Sequence, residues 1–63
     1  MTEVLWITKD QKYRTIYVPD DLGKKYRLQR NEDGHWKSIV YFDSVGEAWV
    51  YWEMSGHREI SWS

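Results

Sequence analysis

Sixty-three residues without a single cysteine must close a core with side chains alone. A domain of this size buries only about 60% of the surface its unfolded chain exposes. Neither a disulfide framework nor a cysteine-based zinc staple can add to that. Two sources of stability remain: burial of very large side chains, and self-association. The chain is rich in the first, with 5 Trp, 5 Tyr and 1 Phe. A Trp or Tyr side chain removes roughly 150–250 Å² from water when it is buried. The same rings, with Arg, are the residues most enriched where proteins bind one another. The length allows one domain, residues 1–63.

The residue pattern predicts an α+β fold. Glu3 to Thr8 and Tyr13 to Val18 are β-branched and aromatic without helical period and read as strands, joined through the polar Lys9-Asp10-Gln11-Lys12. Pro19-Asp20-Asp21-Leu22-Gly23 is a turn, since Pro presets φ, Asp favours turn positions and Gly supplies a positive φ. Lys25 to Arg30 alternates as a half-buried strand, with Tyr26 and Leu28 on one face and Arg27 and Gln29 on the other. Asn31-Glu32-Asp33-Gly34 is a hairpin signal. Strict alternation in the following strand places Trp36, Ser38, Val40 and Phe42 on one face. Ser44-Val45-Gly46-Glu47 then has the spacing of a capping box. Val45, Ala48, Trp49 and Trp52 follow as one apolar helical stripe. Ser55-Gly56 ends the helix, with Gly56 as a left-handed cap. Glu59 to Ser63 alternates about Ile60 and Trp62 as an optional last strand. The expectation is an antiparallel sheet of four strands, or five, with one helix on one face, in the order β-β-β-β-α-(β).

Charge is unevenly placed. Residues 9–37 carry a local net of +3 and residues 38–63 a net of −3, within a total of −1. Long apolar runs are absent, so no transmembrane helix, signal peptide or membrane partner is expected, and the chain reads as cytoplasmic. No catalytic constellation is visible: there is no Cys nucleophile, no G-x-S-x-G elbow and no phosphate-binding glycine loop. His35 and His57 each follow a turn glycine and lack metal-ligand spacing. The expectation is therefore no enzyme, no cofactor and no metal.

Two surfaces remain as candidates. On the helix, Val50, Tyr51 and Met54 project away from the apolar stripe, and with Trp62 near the chain end they form a candidate protein-binding set. On the sheet, Arg14, Arg27, Gln29 and Lys37 are expected to share the open face with aromatics, and Arg14, Arg27, Arg30, Lys37 and Trp36 form an alternative, nucleic-acid-binding set. The near-zero net charge works against strong, salt-sensitive phosphate binding. A homodimer that buries surplus aromatics across a two-fold axis is a third option.

Tyr26-Arg27-Leu28-Gln29-Arg30-Asn31-Glu32-Asp33-Gly34-His35-Trp36, followed by Phe42-Asp43-Ser44-Val45-Gly46-Glu47-Ala48, resembles the strands and helix start of AP2-like and integrase arm-binding domains. The resemblance covers about half the chain. It implies a sheet packed on one helix that binds DNA through the sheet, with Arg27, Arg30 and Trp36 where base and phosphate contacts lie. Those domains have a further strand where Trp36 here runs straight into Phe42. In size and style, a short cysteine-free frame with a Trp-rich sheet is also similar to phage and prophage accessory proteins. That likeness implies a non-enzymatic inhibitor or regulator whose partner is a host or phage protein.

Overall fold

A computed structural model describes residues 2–55 and, as backbone, residues 60–62. Strands β1 (Glu3–Thr8), β2 (Tyr13–Tyr17), β3 (Tyr26–Glu32) and β4 (His35–Phe42) precede helix α1 (Val45–Met54), and β5 (Ile60–Trp62) follows it. All pairings are antiparallel, in the spatial order β4-β3-β2-β1-β5. The chain thus leaves the sheet at one edge, β4, and returns at the other edge, β5. The expected α+β class and element order are what the chain adopts.

Each connection has a local cause. In the β1–β2 loop, the Thr8 hydroxyl donates to Asp10 Oδ1 at 2.6 Å and accepts from the Lys12 and Tyr13 amides at 3.1 Å each. This hydroxyl holds Gln11 in its positive-φ conformation (φ 59°) with Gln11 N–H donating to Thr8 O. The β3–β4 hairpin turns on Asp33 and Gly34, both with positive φ (55° and 87°), the pattern of a two-residue primed turn. Ser44 is the helix N-cap: its Oγ accepts from Glu47 N–H at 3.2 Å. Glu47 reaches back to the Asp43 amide at 3.1 Å, one residue before the cap. The expected cap at Gly56 lies outside the described residues.

Register decides which side chains share a face, because paired residues project together and neighbours alternate. Between sheet and helix lie Trp6, Leu28 and Phe42 from the strands and Ala48 and Trp52 from α1, with Leu5, Tyr13, Tyr26, Val40 and Trp49 packed around them. The Trp6 ring meets Trp49 and Trp52 edge-on, at centroid distances of 5.1 and 6.0 Å. Val45 departs from the expected stripe: it is 47% exposed, at the start of the helix and beyond the sheet-facing arc.

Strand β4 corrects a second expectation. Leu28 pairs with Val40, but Gln29 pairs with Ser38, leaving Ile39 as an extra residue in β4. A bulge of this kind reverses the alternation beyond it. Val40 and Phe42 therefore face the helix, whereas Trp36 and Ser38 share the opposite, open face with Gln29 and Arg14. The same shift places Lys37 opposite Arg30 on the helix side of the sheet.

Candidate protein-binding groove and the open sheet face

The outer surface of α1 runs alongside the edge strand β4. Because Phe42 sits at the end of that strand and Tyr51 two turns into the helix, their rings meet at 5.4 Å. This contact forms the inner wall of an open groove of about 640 Å³. Val50, Tyr51 and Met54 line it from the helix, with Gly46 and Glu47 one to two turns earlier. Tyr41 and Phe42 line it from the sheet, and Lys24 closes one end. Met54 is 82% exposed, and Val50 and Tyr51 are also exposed. Three of the four protein-binding candidates thus converge on one concave apolar surface. Trp62 pairs through its backbone with Trp6; its side chain lies outside the described residues.

Gly46 has two consequences here. It weakens the first helical turn by about 1 kcal/mol relative to Ala. It also leaves the groove open between Glu47 and the sheet, since a Cβ there would meet only Ser44 Oγ, at 3.9 Å.

The helix side of the groove carries charge of one sign. Residues 43–55 contain Asp43, Glu47 and Glu53 and no Lys, Arg or His. Lys24 stands 3.9 Å from Asp43, with both side chains more than half exposed, so the pairing is loose and well screened.

The open face holds a different arrangement. Arg14 Nε donates to Gln29 Oε1 at 2.7 Å, and Gln29 Nε2 donates to Ser38 Oγ at 3.1 Å. The Arg14 guanidinium lies 4.3 Å from the centre of the Trp36 ring, a cation–π distance. Burial holds the Arg14 pKa below the usual arginine value. Arg27 is engaged by Asp21 and lies 5.1 Å from the Tyr41 ring. The Asp21 carboxyl is held below its usual pKa by the Gly23 amide and then by Arg27.

The nucleic-acid set is therefore divided by the sheet. Arg14, Arg27 and Trp36 share the open face, whereas Arg30 and Lys37 project on the helix side. Arg30 is paired with Glu32 on its own strand, through Nε at 2.9 Å and through a second nitrogen. Among the described residues, Arg14 is the arginine with no carboxylate beside it.

Tyr41, Phe42, Lys24 and Gly46 escaped the sequence reading of the groove. Their membership depends on where α1 crosses the sheet edge, for which no local pattern codes. Ser38 escaped the reading of the open face, because the bulge at Ile39 determines its meeting with Gln29. Among the described residues, no three His, Asp or Glu side chains are grouped as a metal site, and no helix is long and apolar enough to cross a membrane. His35 is exposed in β4, and His57 lies outside the described residues. The chain matches no protein-family model, and no curated protein or solved structure matches it.

Proposed function

We propose that this chain is a non-enzymatic protein-binding module of the small inhibitor or regulator kind, engaging its partner through the groove beside α1. One observation carries the reading: Val50, Tyr51 and Met54 are exposed together and line a single apolar concavity with Tyr41 and Phe42. Burying a Val or Met side chain contributes about 1.5–3 kcal/mol, so a partner that fills the groove gains at several positions at once. The side chains at its edge are charged, as the rim of a protein interface is.

The test is affinity capture from the source cell, with the wild-type chain beside Val50→Glu and Met54→Glu. Both positions are exposed, so circular dichroism should show unchanged folds. The expected result is a stoichiometric protein partner held by the wild type and lost by both variants. Equal capture by all three chains, or recovery of nucleic acid without protein, overturns the proposal.

A second reading, DNA binding through the open face, is supported by Arg14, pinned by Gln29 and stacked on Trp36 with no carboxylate beside it. Carboxylates already engage Arg27 and Arg30, which leaves that reading fewer free cations than the residue count suggests.

A further inference from the structure

We infer that the occupant of the groove is a second copy of this chain, with Leu22 of each copy inserted into the groove of the other across a two-fold axis. The inference rests on the groove being a protein-contact site and names its partner.

Leu22 is fully exposed, at the tip of the loop between β2 and β3. A leucine in a slack loop would need no explanation, but this loop is tied at several points. Asp21 N–H donates to Val18 O at 3.2 Å, and Asp21 Oδ1 accepts from Gly23 N–H at 2.9 Å. Lys25 Nζ donates to Asp21 O at 2.7 Å and to Pro19 O at 3.3 Å. Arg27 clamps the Asp21 carboxylate from the sheet. The backbone on either side of Leu22 is thus fixed, and the side chain is held away from its own core. A side chain presented in this way loses little further freedom on binding, which is what makes preorganised contacts effective.

Knob and groove also lie on one patch. Lys24, two residues beyond Leu22, lines the groove itself. A two-fold interface requires one self-complementary surface, in which a feature of each copy meets a different feature of the other. An apolar knob beside an apolar concavity meets that requirement, and each contact then occurs twice.

Charge agrees with the same pairing. Around the knob, Asp21 is neutralised by Arg27, and across Asp20, Asp21, Lys24, Lys25 and Arg27 the cations outnumber the acids by one. On the groove side, Glu47 lines the concavity, segment 43–55 adds Asp43 and Glu53 with no cation of its own, and Lys24 meets Asp43 only loosely at 3.9 Å. Docking the knob of one copy into the groove of the other brings Lys24 and Lys25 towards those carboxylates, and opposite potentials favour that register over others.

The experiment is sedimentation equilibrium of the full chain from tens to several hundred micromolar, for the wild type, Leu22→Asp, Met54→Glu and an equimolar mixture of the two variants. Both positions are exposed, and circular dichroism checks that both variants fold. The wild type should be a dimer. Each variant disrupts both symmetry-related contacts, so its association should weaken by about a hundredfold or more. The mixture should associate more tightly than either variant alone, because one knob and one groove remain intact. A wild type that stays monomeric overturns the inference, and so does a dimer indifferent to Leu22→Asp. These failures are separable from failure of the groove itself. A monomer that captures a foreign partner and loses it with Met54→Glu assigns the groove to that partner. A chain that neither dimerises nor loses a partner with Met54→Glu removes the groove from both readings.

Discussion

Two threonines in neighbouring strands should respond to the same substitution with opposite signs. Thr15 is 1% exposed, paired in register with Trp6 and Leu28, and its hydroxyl has no hydrogen-bond partner among the described residues. In the unfolded chain that hydroxyl is bonded to water. Burying it unpaired costs about 1–3 kcal/mol. Thr15→Val keeps the branched shape and removes the hydroxyl, so it should stabilise by roughly 1–2 kcal/mol. Thr8 is 7% exposed, but its hydroxyl serves Asp10, Lys12 and Tyr13 at once. Thr8→Val leaves the Tyr13 amide without its acceptor, leaves the Lys12 amide with Asp10 Oδ1 alone, and should cost about 1–3 kcal/mol. Urea unfolding followed by tryptophan fluorescence reads both. With a slope of about 1 kcal/mol per molar for a domain this small, the midpoint should rise by roughly 1 M or more for Thr15→Val and fall by a similar amount for Thr8→Val. A Thr15→Val midpoint at or below the wild type would refute the reasoning. Midpoints moving in the same direction would show that the hydrogen bonding of the two hydroxyls does not govern the difference.

Gly46→Ala should stabilise the fold by about 0.5–1 kcal/mol in the same assay, since the helix gains propensity and the new methyl meets only Ser44 Oγ; a loss would mean that the first turn needs glycine for another reason. Stability should decline in acid. Asp10 is held below its usual pKa by the Thr8 hydroxyl and the Lys12 amide, Asp21 by the Gly23 amide and Arg27, and Glu32 by Arg30. A depressed folded-state pKa gives stability that is present above the unfolded value and lost as pH falls through the folded one. Asp10→Asn should therefore flatten the acid limb of a stability–pH curve, and an unchanged limb would count against that hydrogen-bond set. Binding to single-stranded DNA should show a log K against log salt slope near −0.7 for Arg14, the one open-face arginine among the described residues with no carboxylate beside it. A slope steeper than about −3 would show Arg27, Arg30 and Lys37 engaged as well.

Most of the architecture was legible because its signals are local. Alternation and β-branched residues mark β1 to β4, Asp33-Gly34 marks the primed turn, and the Ser44–Glu47 spacing marks the helix start. The bulge at Ile39 was not legible. Ser38-Ile39-Val40 reads as uninterrupted strand, and its two registers differ only in which partner on β3 each residue meets. That single residue moves Trp36 and Ser38 to the other face and separates Lys37 from Arg14. The helix side of the groove followed from period alone, because Val50, Tyr51 and Met54 lie off the apolar stripe. The sheet side did not, because Tyr41, Phe42 and Lys24 join it only once α1 has settled against the edge of the sheet.

The aromatic residues that compensate for a small, unstapled core also limit where a partner can bind. Trp6, Trp49, Trp52 and Phe42 lie in or against the interior, and Tyr17 stacks on Tyr26 at 5.0 Å across β2 and β3. Trp36 and Tyr41 each carry an arginine on the open face. Among the described residues no helix covers that face, yet Ile16 on it is 4% exposed, with Val4 and Arg27 as its register neighbours. The open face is thus largely closed by its own side chains. Arg27 is spent on Asp21 and Tyr41, and Arg14 on Gln29 and Trp36. A ligand there would have to displace contacts already made. In the groove, Met54 and Val50 make no comparable demand, and Tyr51 offers the side of its ring not turned to Phe42. Contact through the groove gains apolar burial without first breaking an interaction, and on that ground it is favoured over the sheet face.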